Sequence, residues 1–252
     1  MYDWEQIDLG DMRLEEERAE LVSPRSEIDA VRAFRSLLHN TQANASYVAL
    51  SYYHYCASMS RHGGENILIE FTQEVLECAR RVLSAPSSKY PPGNPREDGD
   101  NHAAALYAIA RIAQLDDSPL ICKSLGESHS EGVVTGAARA ASTILRNNSA
   151  NQANESALGA LTEALASVIF DDSLVTSARW VAINAIARSD NAGVESYLTQ
   201  ALELESIELQ AVAALALADR DIEKYRTLIE RVMTSWPDDP PFPADRLPDV
   251  MA

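Results

Sequence analysis

The chain has 252 residues, 46% of them hydrophobic and only ten of them Gly, with a formal net charge of −17. That is enough apolar material for one large core or two small ones. The charge argues against nucleic acid and anionic membranes as partners, since both call for clustered Lys and Arg, and Ala-rich runs without alternating β-branched stretches make the expected fold class all-α.

Residues 1–22 form an acidic lead-in, with eight acids against two bases and apolar anchors that include Trp4, Ile7 and Leu9. Pattern alone leaves two options open, an ordered lead-in or a mobile arm. The segment is acidic where a secretory signal is basic and then apolar. No window approaches the ~18 apolar residues of a membrane span, so the expectation is a soluble, cytoplasmic protein. The three cysteines, Cys56, Cys78 and Cys122, lie in apolar helical patterns and are odd in number, which fits small core residues rather than a disulfide framework.

Residues 23–84 read as an N-terminal helical part, either divergent repeats or a cap. Ser23-Pro24 has the chemistry of an N-cap followed by a first-turn Pro, with the helix running to about Asn40. A second helix, Gln42 to His62, is apolar nearly all round and so is expected to be central. The third, about Glu65 to Ser84, turns Ile67, Leu68, Phe71, Val75, Cys78 and Val82 inward and spaces Glu77 and Arg81 for an ion pair. Residues 85–100 hold four Pro and two Gly, which forbids helix and marks a linker or a functional loop.

From 101 to 236 the pattern repeats. Helices are expected over Ala103–Ala113, Ser118–Leu125, Val133–Leu145, Glu155–Phe170, two segments within Asp171–Glu203, then Ile207–Ala218 and Ile222–Trp236. Val134, Ala137 and Ala141 return as Val175, Ala178 and Ala182 at a shift of 41 residues, and Ala108-Ile109-Ala110-Arg111 returns as Ala185-Ile186-Ala187-Arg188. Irregular periods of ~30–45 residues with two helices each suggest a right-handed α-solenoid of antiparallel helix pairs. The tail, 237–252, is Pro-rich and expected to be extended.

The stretch Asp171-Asp172, Val175, Ala178, Ala182-Ile183, Ile186, Asp190, Val194, Leu198 and Leu202 resembles the HEAT-repeat family, in particular the short Ala-rich HEAT-like repeats of the bilin-lyase type. One departure is Thr176, which stands where that pattern has a basic residue after the Val, the position of the Arg–Asp ladder of many HEAT arrays. The resemblance implies an array whose second helices line a concave side and which binds other macromolecules. It transfers no mechanism.

No phosphate-binding glycine loop, nucleophile elbow, HExxH or CxxC motif is present. His54, Cys56 and His62 share no helix face suited to a metal, and the Tyr52–Tyr55 run fits helix packing. Asp116-Asp117 and Asp171-Asp172 fit helix capping better than acid–base work. The expectation is therefore a chain with no catalytic residues, no cofactor and no metal. What remains is acidity. From 147 to 218 there are nine acids against two bases. The outward positions of the second helices include Glu155, Glu163, Glu195, Thr199, Gln200, Glu203 and Glu230, the candidate partner-binding residues. An acidic groove suits a basic protein partner, with an immunity- or antitoxin-type inhibitor of a cationic toxin as the specific form. The rival readings are a structural adaptor or regulatory scaffold using residues 85–100, and a HEAT-like lyase.

Overall fold

The computed structural model describes residues 3–60, 67–87, 100–128, 130–148, 154–191 and 193–251. Among these the protein is all-α, as composition requires, and no described helix is long and apolar enough to cross a membrane. The chain divides into two compact units, Met1–Leu120 and Ile121–Ala252. The Pro-rich segment falls largely outside the described residues.

In the first unit the helices are α1 (Met12–Val22), α2 (Glu27–His39), α3 (Ala43–Met59), α4 (Thr72–Ser84) and α5 (Asn101–Ile109). The apolar-all-round helix α3 is central, touching α1, α2, α4 and α5. The acidic lead-in is ordered: Trp4, Ile7 and Leu9 are buried, Trp4 meets the Tyr52 ring edge-on at 5.2 Å, and the Asn44 amide donates to the Asp8 carbonyl at 3.0 Å. Each of those three side chains supplies roughly 1.5–3 kcal/mol of burial, which outweighs the segment's polarity.

Three local expectations are corrected. Ser23 ends α1 rather than starting α2, its N–H donating to the Ala19 carbonyl. The N-cap of α2 is Ser26, whose hydroxyl accepts from the Asp29 N–H and donates to the Asp29 carboxylate. That two-way link gives Ser26 what Ser23 lacks. The third helix begins at Thr72 after a 3₁₀ turn, Ile69–Phe71. The Arg81 guanidinium turns from Glu77 toward the carbonyls of Leu38 and Asn40, 3.4 and 3.3 Å away, where free carbonyls at the end of α2 attract a cation. Glu77 accepts instead from the Gln73 amide.

Asp117 shows what the paired acids do. Its side chain is 1% exposed. One oxygen accepts from the Gln114 N–H at 2.8 Å and the other from Arg80 Nε at 2.6 Å. A capping box and a charge-assisted bond thus compensate a buried carboxylate.

Helix α6 (Ser118–Glu127) carries the unit boundary, and the second unit continues with α7 (Glu131–Asn148), α8 (Glu155–Phe170), α9 (Thr176–Ile186), α10 (Val194–Ala201), α11 (Ile207–Met233) and α12 (Leu247–Met251). Helix α9 packs on α7, α8 and α11, and α10 packs on α8 and α11. Ala-rich faces make the close approaches possible: Ala137, Ala138, Ala141, Ala178, Ala182, Ala211 and Ala214 are all fully buried. Arg179, 8% exposed, donates from Nε to the Ile169 carbonyl at 2.8 Å and pairs with Asp172 at 2.9 Å. It closes the end of α8 although the sequence offers Thr176 at the pattern's basic position.

Helix α11 contains the break expected between Ala218 and Ile222. Asp221 has extended backbone (φ −163°), and its carboxylate accepts from the Lys224 N–H at 3.0 Å, so it caps the second segment. The tail is folded, not extended. A 3₁₀ turn (Ala244–Arg246) and α12 pack on α11, burying Ala244, Leu247 and Met251. Its Pro residues only shape the approach, while these three side chains fix where the tail lies.

Candidate functional surfaces

The candidate acidic residues all belong to the second unit, which holds nineteen acids against ten bases from Ile121 to Ala252. Glu155 and Glu163 lie on α8, Glu230 lies on the second segment of α11, and all three are exposed. Glu203 is exposed too, but α10 ends at Ala201, so Glu203 sits in the turn that follows, with its N–H donating to the Gln200 carbonyl at 3.0 Å. Gln200 is exposed and donates its amide to the Ser196 hydroxyl. Thr199 is half-buried.

Glu195 differs from the rest. Its carboxylate pairs with Lys224 Nζ at 2.6 Å. The hydrogen bonds from Lys224 and then Tyr225 hold its pKa below the ordinary glutamate range, and the same bond raises that of Lys224. Lys224 also lies over the Tyr225 ring, 4.9 Å from its centroid. Glu195 therefore joins α10 to α11 and its charge is neutralised in place. Of the candidate acids, Glu155, Glu163, Glu203 and Glu230 have no ion pair among the described residues.

A second feature of the same unit escapes the sequence pattern. A cleft of about 340 Å³ opens between α9, the first segment of α11 and the folded tail, lined by Trp180, Asn184, Arg188, Asp219, Arg220, Phe242 and Arg246 among others. Trp180 and Phe242 stack at 5.8 Å with 24° between their planes, and the Arg246 guanidinium sits 4.7 Å from the Phe242 centroid. Three arginines thus meet one aspartate in a unit that is otherwise acidic. Their wide separation in sequence hides the grouping, and so does an expectation that the tail is extended. The available signals were Phe242-Pro243 and the helical spacing of Ala244, Leu247 and Met251 in the tail.

The other residues considered for chemistry fall into structural roles. His54 packs against Tyr107 at 5.2 Å, His102 bonds the Ala85 carbonyl at 2.9 Å, and His62 lies outside the described residues. No group of three or more His, Cys, Asp or Glu side chains suited to a metal occurs among the described residues. Comparison with protein-family profiles, with characterised proteins and with solved structures gives no match. The chain is thus defined by its own geometry: an all-helical protein whose second unit carries a free acidic set on α8 and beyond α10, and a small cationic, aromatic-walled cleft.

Proposed function

We propose that the chain is a non-catalytic, protein-binding α-solenoid of HEAT-like helix pairs that captures a basic protein, in the manner of an immunity or antitoxin-type inhibitor of a cationic toxin. The observation that carries the reading is the free acidic set Glu155, Glu163, Glu203 and Glu230, exposed on α8, α11 and the turn after α10. The solenoid part draws support from the order of contacts, α7 to α9 to α11 on one side and α8 to α10 to α11 on the other, which stacked helix pairs produce. Acids with no internal partner keep their charge available. A rigid helical scaffold holds them without the ordering cost that a flexible acidic segment meets on binding. Like-signed charge on such a scaffold speeds encounter with a basic surface and falls off with salt.

The test is affinity capture at low salt, identification of the captured protein, and measurement of its Kd for wild type and for the Glu155→Lys, Glu163→Lys, Glu203→Lys triple variant. The expected partner is strongly basic, its activity falls when it is bound, and the variant binds it at least tenfold more weakly. Failure to capture a basic protein, or equal affinity of the variant, overturns the reading.

A further inference from the structure

We propose that the cleft between α9, the first segment of α11 and the tail is a binding site for a small organic anion, a carboxylate or phosphate ester attached to a planar or apolar body. Three observations converge on it. The cleft's volume, about 340 Å³, falls within the size range of small-molecule sites. Its walls combine the Trp180–Phe242 stack with Arg188, Arg220 and Arg246 against the single acid Asp219.

Arg188 and Arg246 have no ion pair among the described residues, although acids outnumber bases in this unit by nineteen to ten, whereas Arg220 acts electrostatically on Glu195. Arg246 has an aromatic face for company, and Arg188 is exposed.

Arg220 belongs to the wall of the cleft. Its Nη2 donates to the carbonyl of Ser189 and, at 3.4 Å, to that of Ala187, which closes the end of α9. Its Nε is buried and has no hydrogen-bond partner among the described residues. That Nε is closed off from solvent, so Arg220 serves the wall of the cleft through its Nη2 bonds, and Arg188 and Arg246, both exposed, are the arginines an anion can reach. Guanidinium groups give an oxyanion directional, charge-assisted bonds, and the aromatic pair gives its body a flat apolar seat. The molecule's overall negative charge does not forbid this. At physiological ionic strength the field of distant acids is screened over about 8 Å, whereas the cleft arginines would act at contact. This site is separate from the acidic set and stands whether or not the chain captures a basic protein.

Calorimetric titration of the intact chain with 2-naphthoate, 2-naphthyl phosphate, neutral 2-naphthamide and inorganic phosphate tests it. Binding of one or both naphthyl anions is expected, with the amide and inorganic phosphate each about tenfold weaker or more. The relative strength of naphthoate and naphthyl phosphate identifies which oxyanion the cleft prefers. The Arg188→Gln, Arg246→Gln pair should lose about tenfold or more in affinity for the preferred anion, and Arg188→Lys, Arg246→Lys should lose less. Arg231→Gln, exposed on α11 and not among the cleft residues, should bind as wild type does. The proposal is overturned if neither anion binds, if the amide binds as tightly as naphthoate, if the Gln pair keeps wild-type affinity, or if Arg231→Gln weakens binding as much as the Gln pair.

Discussion

Cys56 lies on α3 with 8% of its surface exposed, and burial pushes its thiol pKa up to about 11 from an ordinary value near 9. The neighbouring Tyr52 hydroxyl is raised as well, by burial first and then by Cys56 itself. In the unfolded chain the thiol ionises near its ordinary value, so between pH 9 and about 11 the unfolded state loses a proton that the folded state keeps. Stability is therefore complete below pH 9 and lost as pH rises toward 11. A shift of this size corresponds to roughly 3 kcal/mol from this one residue. Urea unfolding at pH 7.5, 9 and 10.5 should show wild type losing stability across that range. The Cys56→Ala variant should lose less, because only the tyrosine and the other raised thiols still respond. Parallel alkaline losses in the two proteins would show that Cys56 does not titrate through burial.

At the scale of elements, the tail makes the sharpest prediction. Leu247 is fully buried on α12, which packs on α11, so Leu247→Ala should cost about 2–4 kcal/mol. An extended, solvated tail would make the same substitution neutral in thermal or urea unfolding. The reason this element was not legible is physical. Composition registers that Pro residues break helices, but it does not register that Ala244, Leu247 and Met251, a stripe only two turns long, find an apolar face on α11. The helices themselves were legible wherever a 3.6-residue stripe was long, as in α4, α7 and α8. Their ends were less so, because Ser23 and Ser26 have equal cap chemistry and only the Asp29 partner decides between them. The break in α11 was readable, because Asp221 can begin a helix by accepting from the backbone N–H of Lys224, three residues on. In the candidate site, exposure of Glu155, Glu163 and Glu230 followed from periodicity. The Lys224 partner of Glu195, twenty-nine positions along the chain, did not, since a cross-helix ion pair depends on packing that periodicity does not specify.

The whole molecule adds a condition on what the acidic set can mean. A charge of −17 repels itself, which opposes the compact state, and the repulsion reaches farthest at low salt, where the screening length is about 30 Å at 0.01 M against about 8 Å at 0.15 M. Raising NaCl from about 10 mM to 150 mM should therefore raise the melting temperature of the free protein while weakening capture of a basic partner, two effects of opposite sign from one field. A charge that serves solubility alone predicts only the first. The separation can be made with two sets of three neutralising substitutions. Glu155→Gln, Glu163→Gln and Glu203→Gln remove charge from the proposed docking set. Glu16→Gln, Glu70→Gln and Glu77→Gln remove the same amount from exposed positions of the first unit. Both sets should raise the melting temperature at low salt by similar small amounts, since exposed charges at these distances act mainly through the net field. Only the first set should weaken the basic partner's binding and flatten its dependence on salt, because direct contacts count individually whereas the field counts only their sum. Equal weakening by both sets would make the acidity a general steering field and remove α8 and the turn after α10 from the interface.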